Sequence, residues 1–92
     1  MKTIHKFRLE QTRVQQVNLP CDAKILSIQP VGNVVFMWAE VDTLQALEFI
    51  TIECFGAGHE ITEDMGIDRE YLSTVILIGG NLVWHFYKHT GI

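Results

Sequence analysis

The alternation of apolar and polar residues predicts a β-rich chain, and it is clearest in the segment 34–41. Alternate side chains of an extended strand point to opposite faces. One face of this segment carries Val35, Met37, Ala39 and Val41, and the other carries Val34, Phe36 and Trp38. Because both faces are apolar, we expect a central strand that is covered on both sides.

Six further segments have strand character and short connections between them. They are Thr3–Leu9, Thr12–Leu19, Lys24–Gln29, Leu47–Phe55, Tyr71–Ile78 and Leu82–Lys88. Turn residues at 30–33 and 79–81 predict hairpins, and Asp42 is placed to cap one helical turn over 42–46. The pattern predicts a single all-β, mainly antiparallel domain over residues 1–92. Its seven short strands would form a meander folded into a small sandwich or a partly open barrel.

Two segments are less regular. In the second strand Val14 and Val17 fall on opposite faces, which indicates either a bulge or a solvated edge strand. The segment Glu60–Glu70 is polar and contains Gly66, so we expect a loop there rather than a helix.

The apolar content is high for the size of the chain. Hydrophobic residues make up 48% of 92 residues, whereas a domain this small has proportionally little interior. We therefore expect apolar surface to remain exposed for a partner. Another copy of the same chain is the simplest partner, so we expect a homo-oligomer.

The charge of the chain limits the class of ligand. The net charge is −4 from 11 acidic and 7 basic residues, and the basic residues are scattered along the sequence. This pattern disfavours binding to a nucleic acid polymer through its phosphate backbone. A single phosphorylated small molecule remains compatible with it, because such a ligand needs only one or two bases and some backbone amides.

The sequence also indicates the cellular compartment. Cys21 and Cys54 are isolated cysteines, typical of free thiols in a reducing environment. The segment 1–9 lacks the apolar region of a signal peptide, and no apolar run approaches the roughly 20 residues of a membrane helix. We expect a soluble cytoplasmic protein with no membrane partner.

The segment 55–60 is the most distinctive candidate for binding. Gly56, Ala57 and Gly58 allow a tight turn whose backbone N–H groups can bind an anion such as phosphate. His59 follows directly as a hydrogen-bond donor or proton carrier. The alternative interpretation is an ordinary tight turn with a surface histidine.

Aromatic and basic side chains complete the candidate ligand-binding set. Trp38, Trp84 and Tyr87 offer flat surfaces on which a nucleobase can stack, and His85 lies beside them. Arg8 or Arg13 could reach the ligand from a neighbouring copy. The alternative is that Trp84 belongs to the core and that Trp38 packs across its sheet.

Catalytic and metal-binding patterns are not found in the sequence. The four histidines lack zinc-ligand spacing, and neither Ser27 nor Ser73 lies in a nucleophile elbow. We predict no catalytic residues, no cofactor and no metal. A hydrolase using His59 or His85 with an acid from residues 60–70 is the remaining enzymatic alternative.

Five short motifs occur in an order that resembles a known family. They are Met1–Phe7, Ala23–Gln29, Met37–Asp42, Phe55–His59 and Gly80–His85. The chain resembles a family of short uncharacterised proteins, common in phage and prophage genomes, that is catalogued as a domain of unknown function. This resemblance implies a small phage accessory protein, a class that includes inhibitors of host defence and sponges for cyclic-nucleotide signals.

Two functional hypotheses follow from these observations. The first is a non-enzymatic homo-oligomer that sequesters a small anionic molecule, specifically a cyclic nucleotide immune signal, in the host cytosol. The second is a protein–protein inhibitor or accessory factor that binds a host protein through an exposed sheet edge or apolar patch.

Overall fold

Seven antiparallel strands make up the part of the chain that the computed structural model describes, residues 1–58, 60–61 and 68–90. The elements are β1 (Lys2–Leu9), β2 (Val14–Pro20), β3 (Lys24–Val31), β4 (Val34–Asp42), β5 (Leu47–Gly56), β6 (Arg69–Leu77), a 3₁₀ turn (Ile78–Gly80) and β7 (Leu82–His89). The all-β prediction is confirmed. Each predicted strand is present, and no strand end is displaced by more than two residues.

The strands form two sheets that face each other as an open sandwich. The first sheet has the order β1-β4-β3, and the second has the order β2-β5-β7-β6. The expected meander is wrong, because β1 pairs with β4 and β2 pairs with β5. Among the described strands, only β3–β4 and β6–β7 are hairpins between consecutive strands. Side-chain alternation identifies the buried face of a strand, but it does not identify the neighbouring strand.

The core lies between the two sheets, with β4 at the centre of the first. Val35, Met37 and Ala39 on this strand are fully buried, and Ile52 and Phe86 of the second sheet belong to the same cluster. The prediction of a central strand is therefore confirmed.

The expectation that β4 is covered on both faces is met only in part. Val34, Phe36 and Trp38 on its outer face are half-buried, and none of the described strands packs over them. Neighbouring long side chains cover them instead, as the Lys6 ammonium does 4.5 Å from the centroid of the Phe36 ring.

The connections correct two further details. Residues 42–46 form a turn rather than a helix, because Asp42 Oδ1 accepts a hydrogen bond of 3.0 Å from the Leu44 N–H. In β2 the register with β5 is continuous and the strand lies at the sheet edge, so the edge alternative is correct. Val14 is accordingly exposed while Val17 is buried.

Two further expectations concern the loop over residues 60–70 and membrane-spanning helices. The loop predicted over residues 60–70 falls mostly on residues 62–67, which lie outside the described part. Within the described ranges, no helix has the length and apolar character that crossing a bilayer requires.

Candidate ligand-binding face

The predicted ligand-binding residues are divided between the two sheets. Arg8 and Trp38 belong to the first sheet, on the side that faces away from the core. The other described members lie on or next to the second sheet: Arg13, Gly56, Ala57, Gly58, Trp84, His85 and Tyr87. His59 lies outside the described residues. Within one chain, the two groups cannot contact the same small ligand.

The structure brings several of the second-sheet residues together. Phe55 pairs with His85 in the ladder, and its ring lies 5.8 Å from that of Tyr87. The Arg13 guanidinium lies 4.1 Å from the Phe55 ring centroid. Gly58 adopts a φ of 83°, a left-handed conformation that glycine adopts without steric strain. These residues thus share the outer side of the second sheet.

A buried ion-pair cluster occupies this side of the second sheet. Glu53 is only 5% exposed, and its carboxylate lies 3.2 Å from Arg13 Nη1 and 3.0 Å from Arg69 Nε. His89 Nδ1 is 3.6 Å from the same carboxylate. Arg69 is also buried. Because Arg13 and Arg69 both pair with Glu53, the cluster is better suited to joining β5, β6 and β7 than to binding an anion.

Neither Glu53 nor Arg69 is among the site residues predicted from the sequence. The available signal was an acid at an outward position of an otherwise apolar strand, because such a buried charge requires a partner. The identity of the partner depends on the pairing of β5 with β7 and of β7 with β6, which is not local in sequence.

Two other predicted residues make specific contacts. His85 Nδ1 is hydrogen-bonded to Thr74 Oγ1 at 2.9 Å, and the same hydroxyl is 2.6 Å from the Tyr71 hydroxyl. Trp84 packs against the core, and its Nε1–H donates to Gln11 Oε1 at 3.0 Å. Trp84 therefore has the core position that was the alternative interpretation of this residue.

On the outer side of the first sheet, the same types of side chain recur in register across the three strands. Arg8 on β1 lies opposite Phe36 on β4, which lies opposite Gln29 on β3. We call these three residues the Phe36 row. In the next row, Lys6 lies opposite Trp38, which lies opposite Ser27. We call these the Trp38 row, and the two rows together the stacking face.

Both rows have the same order: a cation, an aromatic ring and a hydrogen-bonding group. The two rings are 6.0 Å apart between centroids and are tilted by 56°. Gln29 Nε2 donates to Ser27 Oγ at 3.2 Å, which orients both side chains on the β3 side. The Arg8 side chain is 64% exposed, and its 3.8 Å ion pair with the equally exposed Glu10 is of the weak surface type.

The fold collects basic residues on this side of the molecule. Four of the seven Lys and Arg residues lie on the outer side of the first sheet: Lys2, Lys6, Arg8 and Lys24. The acids Glu40 and Asp42 are at one end of β4, where they face Lys24 and Lys2 in the register. The stacking face, at the other end, carries two cations, and Arg8 there has only the exposed Glu10 carboxylate as an ion-pair partner, at 3.8 Å.

A hollow of ≈ 330 Å³ beside this acidic end is a weaker candidate. Its lining includes Lys2, Lys24, Glu40 and Asp42. The charges of opposite sign offset one another, so this hollow has no clear preference for an anion.

The two thiols are not activated nucleophiles. Burial raises the pKa of the Cys54 thiol to about 11, and burial together with the neighbouring Glu48 raises the pKa of Cys21. Both are therefore protonated at neutral pH, whereas the reactive form of cysteine is the thiolate. Among the described residues, no group of three or more His, Cys, Asp and Glu side chains is arranged to hold a metal ion.

The comparison with known families places the chain in one of them. Residues 1–91 match the family described as Domain of unknown function (DUF7352). The chain belongs to this family. The match confirms the part of the resemblance that concerned a family of unknown function, and it covers both the stacking face and the ion-pair cluster. No curated protein and no solved structure matches the chain.

Of the charged and aromatic residues on the stacking face, Arg8 and Trp38 are predicted from the sequence as ligand-binding residues. Lys6 and Phe36 are not among the predicted residues. Alternation in β1 places Lys6 with Arg8, and alternation in β4 places Phe36 with Trp38. Both alternations are visible in the sequence. What the sequence lacks is the pairing of β1 with β4, which joins the two sets into one face.

Proposed function

We propose that this protein is a non-enzymatic binding domain that holds an anionic ligand of the nucleotide class on the stacking face. The observation that carries this proposal is the repeated order of cation, aromatic ring and hydrogen-bonding group across β1, β4 and β3. A nucleotide has the matching order of phosphate, planar base and polar base edge. Aromatic rings bind bases by stacking, and nearby cations bind the phosphate.

The energetics favour a base over the present contact of Lys6 with the Phe36 ring. At an exposed site, a cation–π contact contributes about 0.5–1 kcal/mol. Stacking of a base on an aromatic side chain contributes about 1–3 kcal/mol. The Lys6 ammonium, 4.5 Å from the ring centroid, can therefore move from the ring to a phosphate when a base takes its place.

The finer proposal is a phage-type accessory protein that sequesters a small cyclic nucleotide in the host cytosol as a homo-oligomer. Oligomerisation has a geometric role in this proposal. The Gly56–Gly58 turn lies on the opposite sheet from Trp38, so a ligand held by both must lie between two copies of the chain. Eleven large hydrophobic side chains exposed among the described residues provide surface for such packing.

Calorimetric titration of the purified protein with a panel of cyclic di- and trinucleotides tests the proposed function. We expect at least one ligand to bind with Kd below about 10 μM. Trp38→Ala should weaken that binding, whereas Lys88→Gln, on the second sheet, should not. Recovery of the intact ligand after heating would distinguish sequestration from cleavage. If no nucleotide in the panel binds, the proposal is rejected.

A protein partner is the second candidate function, and one apolar patch favours it. Leu44, Leu47 and Phe49 are 85%, 62% and 66% exposed. Leu44 lies in the turn after β4, and Leu47 and Phe49 lie at the start of β5. Capture of a single host protein by the wild type but not by Leu47→Asp, in the absence of any nucleotide binding, would favour this function.

A further inference from the structure

The stacking face contains two similar sets of side chains, the Phe36 row and the Trp38 row, whereas a single nucleotide needs only one. The Phe36 row and the Trp38 row are two residues apart along β4, which corresponds to about 6.8 Å in an antiparallel strand. Each row supplies its own cation from β1, its own ring from β4 and its own hydrogen-bonding side chain from β3.

The geometry points to a ligand with two consecutive nucleotide units joined by a phosphodiester. This inference rests on the proposed function and names the substrate class of the same site. One base lies on Phe36 and the next lies on Trp38. The base edges face Gln29 and Ser27, whose side chains offer a carbonyl acceptor and a hydroxyl. Arg8 and Lys6 face the phosphates.

The position of Lys6 supports a shared phosphate between the two units. Lys6 is opposite Trp38 in the register, yet its ammonium lies over the Phe36 ring, 4.5 Å from the centroid. The charge therefore lies over the Phe36 row on a side chain that begins in the Trp38 row, so a base on Phe36 would displace it towards the phosphate that links the two nucleotides. Arg8, 64% exposed at the end of the Phe36 row, faces the outer phosphate.

The tilt of the rings restricts the form of the dinucleotide. Because the two ring planes differ by 56°, bases that stack on them are splayed apart rather than stacked on each other. Bases in a duplex are stacked and paired, so the site selects an unpaired dinucleotide. Such a unit occurs in a cyclic dinucleotide and in a single-stranded oligonucleotide.

Calorimetry with four adenine probes tests the inference: AMP, the linear 5′-phosphorylated dinucleotide, cyclic di-AMP and an eight-residue single strand. We expect at least one of the two dinucleotides to bind about 10-fold or more tightly than AMP. Tighter binding of cyclic di-AMP would identify the ligand as a cyclic dinucleotide. Tighter binding of the linear probes would identify it as a segment of a single strand. Phe36→Ala and Trp38→Ala should each lower dinucleotide affinity about 5- to 150-fold.

Exposed variants remain informative if a half-buried ring variant fails to fold. Arg8→Gln should weaken dinucleotide binding more than AMP binding, and it should reduce the log–log salt slope for the single strand by about 0.7. Lys88→Gln, on the second sheet, is the matched control and should change neither. Equal affinities for AMP and both dinucleotides would overturn this inference and leave the proposed function standing. Failure of all four probes would overturn this inference, and failure of the wider cyclic-nucleotide panel as well would overturn both.

Discussion

At the scale of single residues, the most constrained position is Glu53. Its carboxylate is buried on a sheet face and is contacted by two guanidinium groups at 3.2 and 3.0 Å. Burial of an ion is unfavourable unless it is paired and hydrogen-bonded. The Arg69 side chain, 2% exposed, and Glu53 therefore depend on each other, and residues from β5 and β6 are held together by this pair.

Replacement of Glu53 by Gln is expected to lower the free energy of unfolding by about 3 kcal/mol, the lower end of the range for a broken buried pair, because Gln retains one acceptor oxygen. The measurement is urea unfolding followed by circular dichroism. Glu10→Gln is the matched control: its pair with Arg8 is 64% exposed on both sides, and we expect a change below about 1 kcal/mol. Equal effects of the two substitutions would show that the Glu53 cluster is solvated.

Cys54 gives the stability a dependence on alkaline pH. The thiol is 2% exposed, and burial raises its pKa from 9.0 to about 11. Between these values the unfolded chain releases the thiol proton while the folded chain retains it. Stability from this group is therefore complete below pH 9 and is lost as the pH rises towards 11.

The slope of stability against pH measures this contribution. We expect Cys54→Ala to be less stable than the wild type at pH 7 and to lose less stability between pH 9 and pH 11. Cys21→Ala should retain the loss of stability between pH 9 and pH 11 that arises from Cys54. Chemical unfolding at a series of pH values provides the measurement, and identical slopes for Cys54→Ala and the wild type would contradict the buried, protonated thiol.

At the scale of elements, each strand follows from local sequence, but its neighbours do not. Alternation and turn residues predict all seven strands and the hairpins β3–β4 and β6–β7, whose partners are separated by only a few residues. The pairs β1–β4 and β2–β5 join segments that are about 30 residues apart. No local pattern selects such partners, because several apolar strands offer equivalent buried faces.

The candidate site shows the same division between local and non-local information. Arg8 and Trp38 are recognised individually as a cation and an aromatic surface. They belong to one face only because β1 lies next to β4, and that pairing also adds Lys6 and Phe36. Conversely, Trp84 resembles Trp38 in that both lie in apolar strand segments, but the Trp84 ring packs against the core.

At the scale of the whole molecule, stability depends on the contact between the two sheets. Phe86 is fully buried at the centre of this contact and pairs with Cys54 in the ladder. Phe49 is the same residue type in the same sheet, but it is 66% exposed on the outer side. Substitution of these two phenylalanines therefore compares the contribution of a core ring with that of a surface ring to the free energy of unfolding.

Phe86→Ala is expected to destabilise the protein by about 3–5 kcal/mol, because it removes buried apolar surface and leaves a cavity. Phe49→Ala should change the stability of a monomer by about 0.5 kcal/mol or less. Thermal and urea unfolding of both variants provide the comparison. A large effect of Phe49→Ala at high protein concentration, reduced on dilution, would instead indicate that Phe49 is buried between copies.

Local sequence patterns are sufficient to predict the all-β class, the positions of the strands and the surplus of apolar residues. These properties depend on the two-residue period of side chains and on turn chemistry, which act over a few residues. The tertiary structure decided which strands are neighbours, which charges are buried and which side chains share a face. Scattered basic residues become a row beside two aromatic rings because hydrogen bonds between distant segments bring β1 and β4 together, and that contact is not encoded in either segment alone.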